Sequence, residues 1–274
     1  MTMRFVPVLL YAAAAVAYAI HFTARDSRAG RFATAILSGA LLAHTFLIGM
    51  QTMQAGHAPL VGTTAAVSAF VWLLGISYLY VELTSMERSM GVFVSAMLAA
   101  LAVIPSLDPT LSTRPPLLQS PLFTIHIISV LFAYASFALA CVLGVTYVLL
   151  FTEIKAKHLG FFYARLPSLQ SLDRMNGRAV TVGWLFLTVG IAVGGFWATQ
   201  VEGSSDPRAQ AMTVVDPKIL VAIVSWIVYA FAVYARRAIG WSGRRAAWLS
   251  AIGFIIVLLN FLPVGYFLTK SHNF

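Results

Sequence analysis

Apolar residues in this chain do not alternate with polar ones; they gather into long runs separated by short polar segments. The runs are about 18 to 25 residues long, the length at which a helix rising roughly 1.5 Å per residue spans the hydrocarbon core of a bilayer. A membrane barrel would show alternating segments of roughly ten residues instead. Inside lipid every backbone N–H and C=O needs a partner within the protein, so runs of this length predict transmembrane helices. The pattern places spans at residues 5–22, 33–52, 60–82, 90–106, 122–151, 180–200, 217–235 and 247–268. One arginine precedes the first run and Arg25, Arg28 and Arg31 follow it, unlike the flanks of a cleavable signal, so it is read as a retained span. The expected fold is all-α, a polytopic transmembrane helical bundle of about eight spans, forming one domain over residues 1–274.

Composition agrees. Of 274 residues, 60% are hydrophobic and 10% charged, with mean hydropathy +0.86, which leaves too little polar surface for a soluble domain. The net charge of +9 would suit a nucleic-acid partner if it were gathered on one folded face, but the basic residues lie in the connections between spans. The connections 23–32, 83–89, 152–179 and 236–246 hold Arg25, Arg28, Arg31, Arg88, Lys155, Lys157, Arg165, Arg174, Arg178, Arg236, Arg237, Arg244 and Arg245. The remaining segments hold Arg4, Arg114, Arg208, Lys218 and Lys270, so the division is thirteen against five. The positive-inside rule makes the first set cytoplasmic and puts both termini on the non-cytoplasmic side. The expected surroundings are a lipid bilayer, of the bacterial inner or plasma membrane type, and no nucleic acid.

Two connections exceed a turn. Residues 153–179 alternate charge with aromatic side chains (Lys155, Lys157, Phe161, Phe162, Tyr163, Arg165), as an interfacial helix extending the fifth span would. Residues 201–215 are rich in Ser, Gly and Asp and read as a loop. In the fifth span Ser129, Ala133, Ser136 and Ala140 recur at helical spacing, a stripe along which another helix can approach closely.

Little in the chain supports most enzyme chemistries. The single cysteine, Cys141, lies in an apolar run, and no C-x-x-C-H stands anywhere to attach haem covalently. No phosphate-binding glycine loop, nucleophile elbow or carboxylate-rich span is present. Asp108, Glu202, Asp206 and Asp216 fall outside the spans, and Asp216 with Pro217 is placed to cap the seventh. Histidine carries the remaining chemistry. His126 sits about one turn inside the outer end of the fifth span, His272 follows the last span, His57 lies in the outer segment Gly56-His57-Ala58-Pro59, and His44 lies in the outer half of the second span. His21 and His158 fall on the cytoplasmic side. Neutral imidazole is an axial ligand for haem iron, while zinc would ask for further ligands close by. Hydrogen bonding between helices is the alternative role for His126, and a free tail the alternative for His272.

The last third of the chain resembles a known family. Leu166-Pro167-Ser168-Leu169, Leu172-Asp173 and the run Gly183 to Ala198, ending Gly194-Gly195-Phe196-Trp197-Ala198, are similar to the stretch before the signature loop of the cytochrome c assembly family, the CcsA/HemX-like haem-handling membrane proteins. Asp216-Pro217-Lys218, Trp226 to Ala230, Gly240 to Ala247, Gly253-Phe254 and His272-Asn273-Phe274 follow in order, and upstream the segments around His57 and His126 resemble the family as well. The resemblance implies haem b held near the outer face with His126 and His272 as the iron ligands. His44, His57 and Trp197 are secondary cofactor-binding candidates. It also implies other cytochrome c maturation proteins as partners.

Two departures bear on the branch. Thr213, Val214 and Val215 precede Asp216 where the haem-handling members carry tryptophans, and Tyr234 stands where the synthase members have a histidine. Both point to the HemX-like branch, a haem-binding or haem-handling protein of cytochrome c assembly or tetrapyrrole regulation. A haem-free assembly factor or permease subunit, and a subunit of a cytochrome c synthase, are the alternatives.

Overall fold

The computed structural model describes residues 2–107, 116–157, 160–201 and 217–259. They form helices α1 (Val6–Ala24), α2 (Ser27–Ala55), α3 (Thr63–Ser85), α4 (Gly91–Leu107), α5 (Pro121–Lys155), the short α6 (Phe161–Arg165), α7 (Leu169–Val201), α8 (Pro217–Tyr234) and α9 (Arg244–Leu259). Six of the helices are long and apolar enough to cross a membrane; α4, at 17 residues, is a shorter apolar helix, and 16 residues of α9 are described. Each of the eight expected spans overlaps one of these helices, the last as far as the described residues reach, and the chain is a polytopic helical membrane protein.

Local chemistry sets most of the ends. The Asp26 carboxylate accepts the Arg28 N–H at 2.8 Å and starts α2, while the Ser120 hydroxyl accepts the Leu122 N–H at 3.2 Å and, with Pro121 behind it, starts α5. Arg25, Met86 and Gly56 stand in the left-handed region after α1, α3 and α2, and the Arg25 and Met86 N–H groups close back on His21 and Glu82 carbonyls.

One expectation is corrected. The stretch 153–179 is not a single interfacial extension of α5, because α7 already begins at Leu169. Ser168 accepts the Ser171 N–H at 3.2 Å, and the first three turns of α7 bury Leu172, Met175, Asn176, Gly177 and Ala179 against the bundle. Between α5 and α7 stands α6, its approach held by the Glu153 carboxylate, which accepts the Gly160 and Tyr163 N–H groups at 2.7 and 3.1 Å. The polar residues at the start of α7 resemble loop in a linear reading; their partners are supplied by other helices.

Helix α5 is the central post, with α7 antiparallel along it and α3 and α9 packed on other sides; α1, α2 and α4 form a flanking group. The small-residue stripe of α5 is buried, as its spacing predicts, but it serves two neighbours. Ser136 meets Ser77 of α3, hydroxyl to hydroxyl at 3.1 Å, and the Ala140 carbonyl accepts Asn176 Nδ2 of α7 at 2.8 Å. Along the α5–α7 seam Phe137 packs over Gly183, Val130 over Gly190 and His126 over Gly194, so bulky groups of one helix meet the bare backbone of the other in antiparallel order.

The four arginine-rich connections share one end of the bundle. Arg88 after α3 donates through Nε to Thr34 of α2 at 3.2 Å, Ser171 donates to Glu87 at 3.3 Å, and the Gly243 N–H before α9 donates to Asp173 at 2.8 Å. Two polar networks lock this end. Glu82, 1% exposed, accepts from Tyr18 at 2.7 Å and from Thr34, with Arg88 Nε 3.8 Å away. Arg236 donates to both oxygens of Asp173 at 2.9 Å, and Asn176 accepts from Ser250 at 3.0 Å. Arg236 sits in a π-helical turn, Ala235–Ile239, that continues α8. These are costly groups to place within a bundle, and each is paired in the way a low-dielectric setting requires.

Candidate functional site

At the opposite end, the segment after α2, the start of α5 and the end of α7 converge. Val61, Leu118, Phe123 and Trp197 form a small apolar cluster separate from the main core. Phe123 and Trp197 lie ring to ring, 5.2 Å between centroids, one turn farther out than His126 and Gly194 on the same two helices.

His126 is half-buried, and its Nδ1 stands 2.8 Å from the Gly190 carbonyl oxygen across the α5–α7 seam. A carbonyl oxygen only accepts, so Nδ1 carries a proton, and in the neutral ring Nε2 then holds the lone pair. That tautomer is the one an Nε2 metal ligand requires, with the carbonyl fixing ring orientation. The seat is as specific as the bond. A Cβ on Gly194 would stand 2.5 Å from His126 Nδ1 and 2.6 Å from Cε1, so only glycine admits the ring there. The Nδ1–Cε1 edge therefore faces α7, and the Nε2–Cδ2 edge is the one turned from its backbone.

Trp197 is 5% exposed and its indole N–H, also buried, has no hydrogen-bond partner among the described residues. A buried donor without an acceptor costs about 1 to 3 kcal/mol. The cost is removed when a bound group supplies an oxygen.

The other candidates separate by geometry. His44 is 2% exposed, and both ring nitrogens are engaged, Nδ1 with the Tyr11 hydroxyl and Nε2 with the Ser68 hydroxyl, each at 3.0 Å. It is a three-helix tie between α1, α2 and α3. His57 is half-buried at the same end of the bundle as His126, with Nδ1 donating to the Ala58 carbonyl at 3.2 Å. His21 donates to the Asp26 carbonyl at 2.8 Å at the arginine-rich end. His272 and His158 lie outside the described residues, as do Thr213, Val214, Val215 and the acidic residues Asp108, Glu202, Asp206 and Asp216. Among the described residues, no three His, Cys, Asp or Glu side chains gather as a metal site would require.

The linear reading overlooked Gly190, Gly194 and Phe123 as parts of the site. A Gly194-Gly195 pair inside an apolar helix was the available signal, since glycine mid-helix needs a packing reason. Glu82, the last residue of the third expected span, and Asp173 and Asn176, in an expected connection, gave no sign along the chain of the polar networks they join.

The sequence model of the family described as Cytochrome C assembly protein matches residues 3–272. Similar curated proteins include those named cytochrome c biogenesis protein CcsA. The one from Trieres chinensis is 27% identical over 92% of this chain and 88% of its own length. That from Guillardia theta is 25% identical over 84% and 81%, and that from Prochlorococcus marinus (strain MIT 9313) is 26% identical over 88% and 83%. With the match running from the approach to α1 through His126, the Gly194 seat and Trp197 to His272, the chain belongs to the cytochrome c assembly protein family.

Proposed function

We propose that this protein serves cytochrome c biogenesis by holding haem near the outer, arginine-poor end of the bundle, without itself carrying out a covalent step. The observation that carries this is the 2.8 Å contact from His126 Nδ1 to the Gly190 carbonyl, which leaves Nε2 in the ligating form. His126 and His272 would hold the iron, and Trp197, whose N–H has no partner among the described residues, would offer it to an oxygen of the bound group. Haem so held would supply a redox-active iron with two imidazole ligands, the arrangement of a b-type centre. The residues do the positioning: Gly194 seats the ring, Gly190 sets its proton, and Phe123 and Trp197 form the apolar wall beside it.

The HemX-like branch, rather than a complete synthase, follows from the sequence departures. Tyr234 adds to this: it is 59% exposed at the inner end of α8, so that position faces away from the bundle core. The proposed membrane is the bacterial plasma membrane. Purified protein, as isolated and after addition of hemin, is expected to show a b-type Soret band. His126→Ala and His272→Ala should each give a five-coordinate or empty spectrum, partly restored by external imidazole, while His21→Ala leaves the spectrum unchanged. If the wild type takes up no hemin, or both variants keep the wild-type spectrum, the site assignment fails. His126 then acts only as a packing residue of a haem-free assembly factor.

A further inference from the structure

The arginine-rich end carries a second feature that haem handling does not use. Helix α9 buries Ala247, Ser250, Gly253 and Val257 on one side and presents Arg244, Arg245, Trp248 and Ile252 on the other. The turn before it, with Gly240 and Gly243 at φ of 77° and 64°, brings Trp241 onto the same side. Trp241 is fixed there by its backbone N–H, which donates to the Ala235 carbonyl at 2.9 Å, and by its ring, edge-on to Phe231 at 5.5 Å. Together Trp241, Arg244, Arg245, Trp248, Leu249 and Ile252 line an open groove of about 550 Å³.

Charge and depth in the groove point to one kind of occupant. Both arginines are exposed, and neither is in an ion pair with the described residues, whereas Arg88 and Arg236 of the same end are each matched to a carboxylate. Their heads are not loose: the Arg245 guanidinium lies 5.8 Å from the Trp241 ring and that of Arg244 lies 5.7 Å from the Phe151 ring of α5. Among the described residues, no carboxylate lines the groove. Below the arginines the lining is aromatic and then aliphatic, and the exposed face continues through Ile255 and Leu259. Paired tryptophans mark the headgroup level, and unpaired arginines at that level with an apolar furrow beneath them complement a phosphate bearing an acyl chain.

We infer that this groove binds one anionic phospholipid of the arginine-rich leaflet, with its phosphate on Arg244 and Arg245 and a chain along Trp248, Leu249 and Ile252. A zwitterionic lipid offers the same chain but no net charge, so the arginines select against it.

The test uses the full chain, delipidated in detergent and returned to mixed micelles. Tryptophan quenching by phosphatidylglycerol with brominated acyl chains is compared with quenching by phosphatidylcholine carrying the same chains. Phosphatidylglycerol is expected to quench at about tenfold lower mole fraction. Arg244→Gln/Arg245→Gln should abolish that preference, and Trp241→Phe/Trp248→Phe should remove the preferential component of the quenching. Soluble glycerol phosphate should not compete. Equal quenching by the two lipids, a preference that survives the arginine substitutions, or displacement by glycerol phosphate alone would each overturn the inference. So would a concentration-dependent dimer that shields this face from both lipids. Size-exclusion profiles and helical circular dichroism unchanged from the wild type establish that the variants are folded.

Discussion

Replacing Gly194 with alanine adds one methyl group at the point where α7 passes closest to the His126 ring. The new Cβ would lie 2.5 Å from Nδ1 and 2.6 Å from Cε1, against an ordinary contact of roughly 3.5 to 4.0 Å. The ring or the helix must therefore shift by about 1 Å. The clashing edge is the one whose Nδ1 reaches the Gly190 carbonyl at 2.8 Å, so the shift strains that bond directly. Overpacking of this kind costs about 1 to 3 kcal/mol, and losing the hydrogen bond costs about 0.5 to 1.5 kcal/mol. Alanine returns about 1 kcal/mol through its helix propensity. The balance is a destabilisation of about 0.5 to 3.5 kcal/mol, with His126 displaced. Gly195 is the internal control: a Cβ there meets nothing within 4 Å, so Gly195→Ala gains the propensity term without the clash. Thermal unfolding in detergent is expected to rank Gly195→Ala at or above the wild type and Gly194→Ala below it. Hemin titration should show weakened or altered binding only for Gly194→Ala. Indistinguishable melting and identical hemin spectra for the two variants would refute the seat.

Two further expectations concern the bundle itself. Glu82→Ala removes the acceptor shared by Tyr18, Thr34 and Arg88. It should destabilise the protein by about 3 to 5 kcal/mol, while Glu82→Gln, which keeps an acceptor oxygen, should lose clearly less; a Glu82→Ala unfolding curve equal to that of the wild type would show that the network contributes nothing. Reporter fusions after Arg31, Lys157 and Arg245 should read cytoplasmic, and fusions after His57, Ser204 and Phe274 external. Any two reversed would break the assigned orientation.

Much of the fold was legible because a membrane helix is specified locally. Whether a segment enters lipid depends on its own summed transfer free energy and on its need to satisfy its own backbone, and both are written in consecutive residues. The expected spans 90–106 and 122–151 accordingly lie within a residue or a few of α4 and α5, whereas the expected span 33–52 starts late, because α2 already begins at Ser27 behind the Asp26 cap. The family resemblance was legible too, and it marked His126 and Trp197. Helix α7 was misjudged at its start because Asp173 and Asn176 look like loop until Arg236, Ser250 and the Ala140 carbonyl are brought beside them.

Tertiary structure decided how His44 and His126 are held. His44 and His126 are the same residue type in apolar helices, each in the half away from the arginine-rich end, and neither hydropathy nor spacing separates them. One is saturated by Tyr11 and Ser68 between three helices; the other is held through Nδ1 by a carbonyl 64 residues away and seated on Gly194. The difference lies in how each helix is rotated about its axis and slid against its neighbour. That rotation is set by steric fit between bulky groups on α5 and bare backbone on α7, a property of two distant segments together. Local transfer energies select the helices, and only their packing assigns the faces.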